Sequence, residues 1–167
     1  MQSLFPSDLY DAARTLLAAY GQRGLRIVTA ESCTGGLIAG LLTEVPGSSS
    51  AVERGYVTYS NVAKSDALGV PEEMLERVGA VSAEVAHAMA EGALKHSRAH
   101  VAVSVTGIAG PDGGSEEKPV GLVYFGLAAR DRDTRTLECR FGNPGRQEVR
   151  LASVRTAIKL LNEVLQD

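Results

Sequence analysis

A serine, a cysteine and a threonine stand in a row at Ser32, Cys33 and Thr34, directly before the pair Gly35 and Gly36. The row follows a short apolar run typical of a buried strand and turns directly into a small-residue helix, so the serine hydroxyl is expected at the edge of a sheet. Backbone N–H groups of a first helical turn can hold an oxyanion, and glycines let a substrate approach the backbone. The pattern favours Ser32 as a nucleophile for acyl transfer.

The same residues have simpler interpretations. Ser32 or Thr34 can serve only as the N-cap of the following helix, since N-caps are far commoner than nucleophiles. Cys33 is a chemical rival, because a thiolate at a helix N-terminus has a lowered pKa. A cysteine beside an apolar helix is more often a packing residue, which ranks it second. The neighbours expected to contact a substrate are Glu31, Thr34, Gly35 and Gly36.

A serine nucleophile needs a base, and the best candidate is Lys64. The three histidines, His87, His96 and His100, lie in or near one alanine-rich segment and form no convincing motif. A lysine acts as a base when burial disfavours its charged form and lowers its pKa. The alternative is a solvated helix lysine. Because the local Ser-x-x-Lys spacing is absent, the fold must bring Lys64 to Ser32.

A glycine-rich loop runs from Gly107 to about Pro119, after an apolar strand. It fails the test for a triphosphate-binding loop, because no Gly-Lys-Ser/Thr closes it and no helix follows. We interpret it as a binding loop over a pocket, with Gly107 and Gly110 against the substrate. The hydroxyl of Thr106, at the end of that strand, is expected to steady the nucleophile or the base; a purely structural threonine is the alternative.

Arg146 and Arg150 share a face of the last predicted helix at i, i+4 spacing, with Arg155 and Lys159 further along. A solvated basic face is the default interpretation. A more specific hypothesis places Arg146 beside a substrate phosphate, which the helix N-terminus and the guanidinium would bind together. Tyr59, near the end of the second predicted strand, completes the set of expected substrate contacts.

Apolar spacing predicts helices and strands that alternate first, with two adjacent strands late in the chain. Strands are expected at 25–30, from Tyr56 to about Ser60 or Asn61, at 101–105, at 120–129 and at 134–141, the last two antiparallel about a turn at 130–133. Helices are expected at 9–20, from Gly35, near Lys64, at 71–78, after the N-cap Ser82, and at about 146–165. This order predicts an α/β fold, a three-layer α/β/α sandwich with a mixed sheet, in a single domain over residues 1–167.

Composition limits the functional class. The 167 residues carry a net charge of −3, so no global basic field favours nucleic acid or anionic lipid. No apolar run approaches the ~20 residues that span a bilayer, and the first residues lack a signal pattern. Cys33 and Cys139 show no metal-ligand or secreted-disulfide spacing. We therefore expect a cytoplasmic protein without metal, cofactor, nucleic-acid or membrane partner, and a homodimer or higher homo-oligomer that uses the last helix.

Four long motifs occur in order and cover nearly the whole chain. They are residues Thr29–Gly36, Gly55–Asn61 with Lys64, Thr106–Gly114 and Lys118–Gly121. In sequence and spacing they closely resemble the CinA C-terminal domain family. The resemblance implies nicotinamide-nucleotide amidase activity, in which nicotinamide mononucleotide and water give nicotinic acid mononucleotide and ammonia for NAD synthesis. It also implies a metal-independent serine amidohydrolase, with its nucleophile at Ser32, its lysine at Lys64 and its third hydroxyl at Thr106.

Longer relatives in that family carry an N-terminal molybdopterin-binding-like domain associated with metal-dependent ADP-ribose pyrophosphatase activity. This chain starts at the amidase-like domain, so that activity is expected to be missing. Two alternatives to a serine amidase stay open. One is a competence or DNA-damage adaptor that binds a partner without catalysis, and the other is a cysteine amidase that uses Cys33.

Overall fold

The computed structural model describes residues 2–167, which form six α-helices and five strands. The helices, in chain order, are α1 (Ser7–Gln22), α2 (Leu37–Glu44), α3 (Asn61–Leu68), α4 (Glu72–Val78), α5 (Ala83–Lys95) and α6 (Arg146–Gln166). The strands are β1 (Ile27–Glu31), β2 (Val52–Val57), β3 (Val101–Gly107), β4 (Leu122–Ala129) and β5 (Arg132–Arg140). A single turn of 3₁₀-helix, Ser48–Ser50, precedes β2.

The five strands form one mixed sheet in the order β2-β1-β3-β4-β5. β1 pairs in parallel with both β2 and β3, and its last residue, Glu31, lies opposite Val57 and Val105. The carboxyl ends of these three strands therefore meet at one edge of the sheet, which is where open α/β sheets bind ligands. β4 and β5 add antiparallel strands at the other side.

Helices cover both faces of the sheet, so the expected three-layer α/β/α sandwich is confirmed. On one face α1, α2 and α6 pack against alternate strand residues such as Ile27, Val103 and Phe125. On the other face α4 and α5 and the end of α3 pack against Val28 and Ala102. Because β1 and β3 are buried on both faces, they are uniformly apolar or small except near their carboxyl ends.

Several predicted boundaries differ from the structure. The helix expected from Gly35 begins at Leu37, with Gly36 at φ 98° before it, so a five-residue turn separates β1 from α2. β2 ends at Val57 rather than near Ser60, because Ser60 accepts a hydrogen bond from the N–H of Ala63 and caps α3. Lys64 is therefore the fourth residue of α3, one turn further into the helix than expected.

Other predicted boundaries were right or nearly so. Ser82 caps α5 by accepting from the N–H of Val85, and α6 begins at Arg146 as expected. The turn between β4 and β5 is tighter than 130–133, since β5 already begins at Arg132 and Asp131 adopts φ 72°. Within residues 2–167 no helix has both the length and the apolarity needed to cross a bilayer.

Candidate active site

Three chain segments bring the predicted catalytic residues to one edge of the sheet. Ser32 directly follows β1, and Thr106 is the sixth of the seven residues of β3. After β2, Thr58 and Tyr59 lead into α3, which carries Lys64. Parallel pairing aligns these strand ends, so residues that are far apart in sequence become neighbours at a single position in space.

The side-chain nitrogen of Lys64 lies 2.9 Å from the hydroxyl oxygen of Ser32. The same nitrogen lies 2.9 Å from the Thr58 carbonyl oxygen and 3.4 Å from that of Tyr59. An uncharged amine has two N–H groups and one lone pair. Two carbonyls that accept the N–H groups leave the lone pair for the Ser32 hydroxyl, which is the arrangement a base requires.

The surroundings of Lys64 favour its uncharged form. The residue is only 1% exposed, and in residues 2–167 no carboxylate lies within salt-bridge distance of its ammonium. Burial lowers the pKa of Lys64 below its ordinary value, against a smaller opposing effect of Cys33. The exposed helix lysine that the sequence left open as an alternative is therefore wrong.

Cys33 lies beside this pair but is poorly suited to be the nucleophile. Its side chain is 6% exposed, and burial raises the pKa of the Cys33 thiol to about 11. The expectation that a helix N-terminus lowers this pKa was wrong, because α2 begins four residues later at Leu37. At neutral pH the thiol stays protonated, and the thiolate that attacks a carbonyl is scarce.

The side chains of Glu31 and Thr34 stabilise the turn through hydrogen bonds, and neither residue lines the cavity at Ser32. The Glu31 carboxylate is fully buried and accepts from the Thr34 hydroxyl at 2.7 Å, from Ile38 N–H at 2.9 Å and from Ala39 N–H at 3.0 Å. Whether Glu31 and Thr34 contact a substrate stays a prediction. The carboxylate also occupies the first-turn amides of α2, which were expected to hold an oxyanion.

Gly35 and Gly36 also lie away from this cavity. They line a neighbouring cleft of about 740 Å³ on the other side of the turn, between the start of α2 and the start of α6. Positive φ angles of 57° and 98° explain why glycine is needed at both positions. Arg146 lines both this cleft and the cavity at Ser32, and the contact of Gly35 and Gly36 with substrate stays a prediction.

Thr106 lies at the cavity wall, and within residues 2–167 its hydroxyl makes no hydrogen bond to either member of the pair. Its hydroxyl donates to the carbonyl of Ala80 at 2.8 Å, which ties the end of β3 to the segment before α5. The predicted role of Thr106 in steadying Ser32 or Lys64 stays a prediction. Because a hydroxyl that donates once can still accept, Thr106 keeps lone pairs for a ligand in the cavity.

A cavity of about 270 Å³ opens in front of Ser32 and Lys64, near the lower end of the range for small-molecule sites. Of the predicted contacts, Tyr59, Thr106, Gly107, Gly110 and Arg146 line it, and whether they bind substrate stays a prediction. The sequence did not single out the other lining residues, which are Asn61, Ala80, Val81, Ile108, Ala109, Asp112 and Gly113. Most of them lie inside motifs that had been noted only for the glycines or for the lysine.

Arg146 closes one side of the cavity and ties its parts together. Its guanidinium donates to the Gly110 carbonyl at 2.7 Å and to the Tyr59 hydroxyl at 3.3 Å. These two bonds join α6, the glycine-rich loop and the segment after β2, and they leave further N–H groups for an anionic ligand.

Within residues 2–167 no three His, Cys, Asp or Glu side chains are grouped as a metal site would need.

The chain is similar in sequence and in structure to known proteins. The family model described as "CinA C-terminal domain" matches residues 10–165. A nicotinamide-nucleotide amidohydrolase named PncC from Enterobacter agglomerans is 50% identical over 155 residues, which is 90% of this chain and 94% of that protein. The crystal structure of the competence/damage inducible protein CihA from Agrobacterium tumefaciens superposes with a TM-score of 0.96 at 55% identity, and covers 99% of this chain and 100% of that one.

Other relatives are much longer than this chain. A CinA-like protein of Akkermansia muciniphila is 55% identical over 123 residues, which is 74% of this chain but 30% of that protein. The chain thus spans about a third of the length of several curated relatives that it matches. The similarity to them concerns the part of those proteins that corresponds to the fold described above.

Proposed function

This chain belongs to the CinA C-terminal domain family, and we propose that it hydrolyses the carboxamide of nicotinamide mononucleotide to nicotinic acid mononucleotide and ammonia. The observation that carries the proposal is the buried lysine nitrogen 2.9 Å from the Ser32 hydroxyl, in a cavity sized for a small molecule. The reaction would serve pyridine nucleotide salvage. The same proposal includes a single domain over 1–167 and a homo-oligomeric state. It also includes a cytoplasmic location and no binding to nucleic acid or membrane.

In the first step, Ser32 Oγ attacks the carboxamide carbon and uncharged Lys64 takes the hydroxyl proton. The electron pair of the C=O double bond moves to oxygen and forms a tetrahedral oxyanion. The positively charged pyridinium ring withdraws electrons from the amide and so favours the attack. The carbonyls of Thr58 and Tyr59 hold the lysine nitrogen in place throughout, since each accepts one of its N–H groups.

Backbone N–H groups of the turn after Ser32 stabilise the oxyanion. Cys33 lines the cavity, and in residues 2–167 no carbonyl accepts from the N–H of Cys33 or of Thr34. The first-turn amides of α2 are excluded from this role because Glu31 occupies them. As the intermediate collapses, the C–N bond breaks and Lys64 gives its proton to the departing ammonia.

Hydrolysis of the acyl-enzyme repeats these steps with water as nucleophile. Lys64, again uncharged, accepts a proton from water as the water oxygen attacks the ester carbon, and it returns that proton to Ser32 Oγ as the ester bond breaks. The product acid loses its own proton to solvent. Thr106 lines the cavity, and its hydroxyl, which donates to Ala80, keeps acceptor capacity. In this proposal it accepts a hydrogen bond from an N–H or O–H of the reacting group.

The remaining lining residues fit the rest of the substrate. Arg146 offers N–H groups to the phosphate at the edge of the cavity. The ring of Tyr59 is 63% exposed, and its face can pack against the cationic pyridinium. A substrate with a cation at one end and an anion at the other thus meets an aromatic face and a guanidinium that are already joined by a hydrogen bond.

Ammonia release from nicotinamide mononucleotide in the presence of a chelator tests the proposal. The wild-type protein is expected to release ammonia, while Ser32→Ala and Lys64→Ala release none above background and keep their circular dichroism spectra. Arg155→Ala serves as the control, since that residue is paired with Asp8 on the surface. An inactive wild type, as the adaptor alternative predicts, or an active Ser32→Ala would overturn the proposal.

A further inference from the structure

Arg150, on α6, makes contacts that the proposed mechanism does not use. Its Nε donates to the Cys33 carbonyl at 3.2 Å, and its Nη2 donates to the Thr34 carbonyl at 3.1 Å. In residues 2–167 no carboxylate lies within 4 Å of this guanidinium. A half-buried cation is thus directed at two successive peptide groups of the turn that carries the nucleophile.

One of these contacts, together with a hydrogen bond inside the turn, fixes the direction of the free N–H groups in the turn. In a trans peptide unit the C=O and the N–H point in opposite directions. The Cys33 carbonyl points at Arg150, so the N–H of Thr34 points away from it. The Ser32 carbonyl accepts from Gly35 N–H inside the turn, so the N–H of Cys33 points outward. Two unoccupied donors therefore follow the nucleophile directly.

We propose that Arg150 is a positioning residue that holds the turn after Ser32 and polarises the peptide unit between Cys33 and Thr34, so that the N–H groups of Cys33 and Thr34 form the oxyanion hole. A cation on a carbonyl oxygen draws electron density through the peptide unit and strengthens the N–H donor at its other end. The inference rests on the proposed function, because it concerns the transition state of that reaction. Arg150 itself lines the neighbouring cleft, so it acts on the substrate only through the backbone.

A purely structural role is the competing interpretation, and the packing of α6 argues against it. The helix is anchored by an apolar face that is fully buried without Arg150, including Val149, Val154, Ala157 and Leu161. The Glu31 carboxylate independently fixes the start of α2. Loss of the guanidinium should therefore leave the fold intact and release only the turn between Ser32 and Gly36.

The test separates kcat from KM in Arg150→Ala, with nicotinamide mononucleotide as substrate and Arg155→Ala as the matched arginine control on the same helix. We expect Arg150→Ala to lower kcat by about 100-fold, as for loss of an oxyanion-hole donor, with KM within about twofold of wild type. Arg155→Ala should keep both constants. Arg150→Lys supplies a cation but lacks the planar guanidinium that donates to both carbonyls, so its kcat should lie between those of Arg150→Ala and wild type.

Two further readouts distinguish positioning from general damage. Guanidinium ion at millimolar concentration should restore part of kcat in Arg150→Ala, because the emptied site opens onto the cleft, and should have no effect on Arg155→Ala. The midpoint of the kcat–pH profile, which belongs to Lys64, should not move. An Arg150→Ala protein with unchanged kcat, or one whose loss lies in KM or in a displaced midpoint, overturns the inference. An inactive wild type overturns both this inference and the proposed function.

Discussion

The nitrogen of Lys64 and the hydroxyl oxygen of Ser32 lie 2.9 Å apart across 32 positions of sequence. The pairing follows from the sheet, since Glu31 and Val57 lie side by side at the ends of two parallel strands. Ser32 continues from one strand, and Thr58 and Tyr59 continue from the other towards α3. The two side chains are therefore brought together by strand register and not by a local motif, and they meet without a Ser-x-x-Lys spacing.

Turnover should increase with pH through the lowered pKa of Lys64. Only the uncharged amine can accept the Ser32 proton, and burial lowers this pKa below the ordinary lysine range. We expect kcat, measured from about pH 6 to about pH 10, to reach a plateau well below the ordinary pKa of lysine. Lys64→Arg, which keeps a cation but has no accessible neutral form, should be inactive at every pH. A rate that keeps rising into the ordinary lysine range would argue against a buried neutral base.

The same shift predicts how stability depends on pH. Between the lowered pKa of folded Lys64 and the ordinary pKa of the unfolded chain, the unfolded state binds more protons. The free energy of unfolding must then rise with pH across that window. We expect the Tm of wild type relative to Lys64→Met to increase from neutral pH towards about pH 10, as measured by thermal unfolding of both proteins in the same buffers. A constant difference would show that the pKa is not lowered.

Thiol reagents should not abolish activity. Burial raises the pKa of Cys33 to about 11, and the side chain is 6% exposed, so its thiolate is scarce and poorly accessible. We expect Cys33→Ala to keep kcat within a few-fold of wild type, and iodoacetamide treatment of the wild type to leave most of the activity. The half-buried Cys139, on the surface strand β5, provides the control Cys139→Ala. Complete loss of activity in Cys33→Ala alone would favour the cysteine amidase.

Two substitutions at Thr106 test whether its hydroxyl contributes to turnover in addition to its hydrogen bond with Ala80. Its hydrogen bond to Ala80 is retained in Thr106→Ser and lost in the similarly shaped Thr106→Val. We expect the serine variant to be close to wild type and the valine variant to lose about fivefold in kcat, since one hydrogen bond contributes about 1 kcal/mol. Steady-state kinetics with thermal unfolding as a control separate the two effects. A fully active valine variant would leave Thr106 with a packing role.

Much of the site could be anticipated from the sequence because β-strands end where polar residues and glycines begin. Ser32 and Thr106 follow or close an apolar run, and Tyr59 closes a short run of β-favouring residues. The parallel arrangement implied by the order of elements brings such strand ends together. Ser82 was recognisable as an N-cap for a similar local reason. Local patterns of this kind depend on neighbouring residues alone.

The roles of Glu31 and Arg150 could not be anticipated, since they depend on packing between distant elements. Glu31 is charged and adjacent to the nucleophile, which made a substrate contact plausible. Its hydrogen bonds, one from the Thr34 hydroxyl in the turn and two from N–H groups at the beginning of α2, appear only once the turn is built. Arg150 reaches the turn from 117 positions away, while its i, i+4 neighbour Arg146 reaches the cavity. Sequence spacing puts both arginines on one face of α6 but does not separate their targets.

A matched pair of glycine substitutions tests how firmly the base is held. Gly92, in α5, lies against α3, where a Cβ would overlap the Leu68 carbonyl oxygen and lie 2.9 Å from its carbon. Gly40, in α2, has nothing nearer than 3.8 Å, the distance to Phe5. In a helix interior, alanine is normally more stable than glycine by about 0.5–1 kcal/mol. Overpacking a core costs typically about 1–3 kcal/mol, so the clash should outweigh the gain at Gly92 only.

We therefore expect opposite outcomes from the two variants. Gly92→Ala should unfold at a Tm lower by about 2–6 °C, while Gly40→Ala should match or exceed wild type. Because Leu68 and Lys64 lie one turn apart on α3, the displacement should also move the base away from Ser32 and lower kcat. Gly40→Ala should keep kcat, since α2 carries no residue of the dyad. Thermal unfolding and ammonia release on both proteins check this, and a Gly92→Ala protein as stable and as active as wild type would show that α3 is not held by this contact.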